Sequence, residues 1–175
     1  MRQIHLTIVL GLMIVAAGCS PWSTFPPIEG AVDIGDPGLE PFPTLMTNAI
    51  RYVYQQDGAQ GELVYNLPVG TPWYVYKRVT RRLETARPLL GAAGPAYHVE
   101  AVRVRGTEAE VDVIHPGEGD VPQLVTLYMS QHLVEGWRVT RTRYWRIRVE
   151  WPEPTYTPPP DAGSEPGPDD VEPDE

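Results

Sequence analysis

The sequence holds a single cysteine, Cys19, and a single lysine, Lys77. One cysteine excludes an intramolecular disulfide and a thiolate metal cluster, so whatever folds is held by its core alone. Serine is scarce, and between residues 44 and 151 only Ser130 occurs. A serine-type hydrolase would need Ser130 beside a histidine, and strand alternation puts Ser130 and His132 on an outward face. A Gly-rich phosphate loop, a paired-histidine metal motif and a nucleophile elbow are all missing. The sequence therefore implies no cofactor and no metal.

Basic residues are missing altogether after Trp151, where eight acids lie. The whole chain carries 14 basic and 23 acidic residues, net −9, but residues 19–151 hold 13 basic and 15 acidic groups. A body so close to neutral has no long-range field to gather nucleic acid, so nucleic-acid binding is not expected. All basic residues but Lys77 are arginine, which reads as genome composition rather than chosen contacts.

The N-terminus is where a long apolar run does occur. Arg2 precedes an apolar stretch from Ile4 to Gly18, and the small residues Ala16, Ala17 and Gly18 lead to Cys19. The stretch is short of the roughly 20 residues a spanning helix needs. Ala16-Ala17-Gly18-Cys19 resembles the signal of bacterial lipoproteins, in which a peptidase cuts before a cysteine already carrying diacylglycerol. Ala16 stands where that family prefers leucine. The resemblance implies cleavage after residue 18, lipid on Cys19, and a membrane contact through that lipid. Two or three acyl chains hold a protein firmly, at about 0.8 kcal/mol per buried methylene. Ser20, in families that sort by this position, points to the outer membrane. The expected address is the bacterial cell envelope.

The mature chain divides by composition. Residues 19–43 hold six prolines and three glycines with no sustained period and read as an extended tether. Residues 152–175 hold eight prolines and eight acids and read as a disordered, solubilising tail. Residues 44–151 read as one α+β domain. Leu45, Met46, Ala49, Ile50, Tyr52 and Val53 recur at helical spacing, and Asp57-Gly58 supplies a stop. Thr71-Pro72 reads as an N-cap and first-turn proline for a second helix, with Trp73, Tyr76, Val79, Thr80 and Leu83 as its inner stripe.

After Gly94-Pro95 the period changes to two. Tyr97–Arg105 and Glu108–His115 flank Gly106-Thr107, a hairpin signal. Closing it pairs Arg105 with Glu108 and Arg103 with Glu110 on one face, and Val104 with Ala109 and Val102 with Val111 on the other. A one-residue slip would bury the charges, so the register is self-consistent. Val121–Leu133 and Trp137–Trp151 make a second hairpin around Val134-Glu135-Gly136, placing Leu133 beside Trp137 and Val125 beside Trp145. The fold expected is two N-terminal helices packed on a curved four-strand antiparallel meander. That layout, ending in Val134-Glu135-Gly136-Trp137-Arg138-Val139, resembles the cystatin-like cone of the nuclear transport factor superfamily. The superfamily contains isomerases, dehydratases and non-catalytic binding modules, so the resemblance implies a fold and leaves the activity open.

Two constellations stand out. The first-hairpin register sets His98 opposite His115 with Glu100 on the same face, a carboxylate and two imidazoles able to bind a metal or move a proton. The bland alternative is a bulge that turns them outward. The second-hairpin register puts Arg141 and Arg143 on the apolar face beside Met129 and Leu127, where each needs a carboxylate, an anionic ligand or an escape to water. A bulge near Thr140–Thr142 would supply the escape. The leading expectation is a lipid-anchored, non-catalytic domain binding an envelope protein or a small anionic ligand, with Arg141 and Arg143 at its site. The alternatives are a cone-fold enzyme using Glu100 with His98 or His115, and an envelope linker acting through the acidic tail.

Overall fold

A computed structural model of the chain describes residues 21–159. Cys19 and the segment before it lie outside the described residues, as does the tail from residue 160 onward. Within that span the chain forms strands β1 (Ser23–Phe25) and β2 (Val32–Asp33), helix α1 (Phe42–Gln56), and strand β3 (Leu63–Asn66). Helix α2 (Trp73–Leu83) and strand β4 (Ala86–Pro88) follow. Four longer strands complete it: β5 (Tyr97–Arg105), β6 (Glu108–Pro116), β7 (Pro122–His132) and β8 (Gly136–Tyr144).

The expectation of two helices on a four-strand meander is corrected: among the described residues the sheet has eight strands and is mixed. Strands β5, β6, β7 and β8 run antiparallel in sequence order. The free edge of β5 is then shared by two partners. Its C-terminal half pairs antiparallel with β1, and its first residues pair parallel with β3. Strand β3 also pairs parallel with β4, a connection that requires a crossover, and α2 supplies it. At this coarse level an α+β arrangement agrees with the sequence reading; the topology does not.

Helix α1 starts in prolines, with Pro43 in its first turn, where the missing N–H is no loss, and stops where Asp57 caps it and Gly58 turns to a φ of 60°. Its apolar stripe of Leu45, Met46, Ala49, Ile50 and Val53 is buried on the inner face of the sheet. That face presents Val102, Val111, Val113, Val125, Leu127 and Met129, all buried. Each such side chain contributes about 1.5–3 kcal/mol relative to exposure. Helix α2 buries Tyr76, Val79 and Leu83 of the stripe expected, with Val75 beside them; Thr80 is half-buried and Trp73 is 43% exposed. Thr71 does not cap it: Pro72 holds the N-cap position without a side-chain hydrogen bond, and the Thr71 hydroxyl donates to the Pro68 carbonyl at 2.6 Å.

The first hairpin has the register read from the sequence near its turn, with Arg105 opposite Glu108 and Val102 opposite Val111. The second does not: Gln131 pairs with Trp137 and Val125 with Tyr144, and Leu133 is fully exposed in the turn. Regular strand ends at Tyr144, short of Trp151.

The folded unit also reaches beyond residues 44–151. Phe25, in the stretch assigned to the tether, is buried in the core, and Phe42 is buried at the start of α1. At the other end, in the stretch assigned to the tail, Thr155 donates through N–H to Asn66 Oδ1 at 3.1 Å and through its hydroxyl to the Leu67 carbonyl at 2.6 Å. Tyr156 packs on Tyr76 with ring centroids 4.9 Å apart. Residues 151–155 thus strap the outer side of β5 and β3.

Candidate functional site

The expected triad of Glu100, His98 and His115 is not assembled. A bulge between Val99 and Ala101 makes Glu100 the unpaired residue, and from there toward the start of β5 the pairing shifts by one. His98 consequently stands opposite Ile114, not His115, and the two imidazoles lie on opposite faces of the sheet. Glu100 is exposed on the outer face, where partial desolvation and then the like charge of Asp112 hold its carboxyl above the usual range.

His98 is fully buried and satisfied. Its Nε2–H donates to the Gly94 carbonyl at 3.1 Å, and its Nδ1 accepts from Asn66 Nδ2 at 3.3 Å. Trp151 of the strap covers the ring, with centroids 5.5 Å apart. Burial pushes the imidazole pKa below its ordinary 6.5, outweighing the Gly94 contact, which favours the cation. These contacts hold the strap to β3 and β5, and they leave His98 no free nitrogen for chemistry.

His115, near the end of β6, finds a partner that the sequence reading took only as a helix stop. Its Nδ1 lies 2.9 Å from Asp57 Oδ2, and the side chains are 3% and 19% exposed. With Asp57 ionised, Nδ1 carries the proton and Nε2 is left as an acceptor, buried without a hydrogen-bond partner among the described residues. Burial, and then the charge and hydrogen bonding of Asp57, drive the Tyr97 phenol far up. Tyr54 meets Tyr97 edge-on at 5.5 Å, and Tyr144 flanks His115 at 6.1 Å. An aspartate-oriented imidazole is the arrangement of a general base. Here its basic nitrogen is sealed under side chains, so in this conformation the pair joins helix to sheet.

Arg141 and Arg143 are likewise relocated, and their expected place on the apolar face is corrected. Between Tyr128 and Met129 the β7–β8 register slips, so that Met129 pairs with Val139 and Tyr128 with Arg141. Thr140 is the extra residue, and it reverses the parity of everything after it. Both arginines emerge exposed on the outer face, and neither meets Glu100. Each lies over an aromatic ring instead: Arg141 over Tyr128 and Arg143 over Trp145, both with the guanidinium carbon 3.8 Å from the centroid. Arg105 stacks on Trp22 at 4.7 Å in the same way.

The outer face therefore carries a row of guanidinium–ring pairs. Arg105 is also bonded to Glu108, and Arg103 bridges Glu110 and Asp112 at 3.2 and 2.7 Å. Arg141 and Arg143 have no carboxylate partner among the described residues. An open cleft of about 430 Å³ runs past Trp22, Tyr128 and Arg141, and a shallower one of about 240 Å³ adjoins it between Tyr128 and Trp145. The ring beneath restrains each guanidinium while the group stays exposed, a placed donor for carboxylate. Tyr128 and Trp145 were the residues missed; the signal was the aromatic one strand or two positions away from each arginine. No group of three or more metal-ligating side chains occurs among the described residues.

Comparison with family models, with curated proteins and with solved structures finds no match to this chain.

Proposed function

We propose that the chain is a lipid-anchored lipoprotein of the bacterial envelope whose folded unit binds a partner, not a substrate, through the outer face of its sheet. The observation carrying the binding part is the pair Arg141–Tyr128 and Arg143–Trp145: two exposed guanidiniums seated over rings, with no carboxylate partner among the described residues. Tyr, Trp and Arg are the side chains that dominate protein–protein contacts, because they bury large rigid area and donate hydrogen bonds at low entropic cost. The anchoring part rests on Ala16-Ala17-Gly18-Cys19, with lipid on Cys19.

Two measurements test the two parts separately. Labelled fatty acid is expected in the native protein and not in Cys19→Ala; equal labelling ends the lipoprotein reading. A photo-crosslinker replacing Tyr128 in membranes should capture a discrete partner that the same group at exposed Arg81, on α2, does not. Identical capture at both positions would end the outer-face reading.

A further inference from the structure

Strand β8 lies at the end of the sheet, and its peptide groups point alternately toward β7 and away from it. The Trp145 N–H donates to the Leu124 carbonyl at 3.0 Å, so Arg143 and Arg141 turn their peptide groups toward β7. Thr142 and Tyr144 then turn theirs toward the side where no strand pairs among the described residues. Before the bulge, the Trp137 carbonyl also points away from β7, and there Asn48 of α1 meets it at 3.0 Å. Helix α1 thus stands beside one end of the edge. Between them lies a cleft of about 490 Å³ whose walls include Arg51, Tyr52 and Val139.

We infer that this edge takes up an extended acidic segment of another envelope protein as an added strand, beside β8 and in front of α1. The inference rests on the partner-binding reading above and names its surface and chemistry. An open edge offers unpaired N–H and C=O groups to any extended chain, and a helix alongside bounds the groove in which it lies. Charge then selects the occupant. Strand β8 carries Arg141 and Arg143 and no acid, its Arg138 being bonded to Glu135 of the turn, and Arg51 adds a further cation in the cleft. Alternate side chains of an added strand would lie on the outer face beside this row, so acids at every second position are the complementary pattern.

A second copy of this chain is a poor occupant, because β8 on β8 would set the same arginines against one another. The chain's own acidic tail is a poor one too. Beyond Pro158 its prolines leave no uninterrupted stretch longer than Asp161–Glu165, and each proline removes a ladder donor.

The test uses the full-length protein in detergent and a capped, proline-free peptide alternating glutamate and threonine. Saturable binding is expected, weakened by salt, with the Thr142 and Tyr144 amides newly protected from hydrogen exchange. N-methylating alternate peptide bonds should abolish it, and replacing glutamate by lysine should do the same. Arg141→Ala with Arg143→Ala, both exposed, should weaken binding by about tenfold or more while the fold is retained by circular dichroism. No binding, or equal binding by the N-methylated peptide, overturns the inference. Binding that appears only after residues 160–175 are removed overturns it in favour of the tail as occupant. None of these failures touches the fatty-acid label or the Tyr128 crosslink, which test the broader reading.

Discussion

Nδ1 of His115 stands 2.9 Å from Oδ2 of Asp57, a bond that joins β6 to the C-cap of α1 across 58 positions of sequence. Aspartate at a helix C-terminus is opposed by the helix dipole, and the imidazole N–H compensates it.

Asp57→Ala removes the partner of a buried ring whose Nε2 already has no hydrogen bond among the described residues. The expected cost is about 1–3 kcal/mol, read as a lower urea midpoint with unchanged slope. Adding His115→Leu should recover part of it, since an apolar side chain asks for no hydrogen bond. Full stability in Asp57→Ala would show that the pair does not hold helix to sheet.

His98 makes stability depend on pH in a definite direction. Burial lowers its folded pKa below 6.5, so as pH falls through 6.5 the unfolded chain takes up a proton that the folded chain refuses. Stability should therefore be greatest above that pH and decline below it. Urea midpoints at neutral and mildly acidic pH, compared between the native protein and His98→Gln, measure the effect. The variant should show a shallower decline, and an identical one would assign the dependence to other groups.

Arg141→Ala and Arg143→Ala should each cost no more than about 1 kcal/mol, the scale of an exposed guanidinium–ring contact. A buried, paired arginine would cost about 3–5 kcal/mol. Thermal unfolding followed by tryptophan fluorescence separates the two cases, and a large loss would put the side chains back on the inner face.

A fragment cut to residues 44–151 should unfold at lower urea than one spanning 21–159. It loses Phe25 and Phe42 from the core, and with them the Thr155 and Tyr156 contacts to Asn66, Leu67 and Tyr76. Each buried aromatic alone is worth about 1.5–3 kcal/mol. Equal midpoints would mean that both flanking segments are energetically idle.

What the sequence by itself determined is local. The stripe of α1, its stop at Asp57-Gly58, and the pairing of Arg105 with Glu108 and Val102 with Val111 follow from period and turn chemistry within a few residues. Tertiary structure decided the rest, through two extra residues. Glu100 and Thr140 each add one position to a long curved strand, and because side chains alternate with period two, each inserted residue reverses every assignment beyond it. The first bulge separates His98 from His115; the second carries Arg141 and Arg143 out to Tyr128 and Trp145. Strands as short as β1 and β3 have too little pattern to be seen in sequence, and they exist because β5 offers them an edge. The Asp57–His115 bond depends on the same packing, since only the seating of α1 on the sheet brings the two residues together.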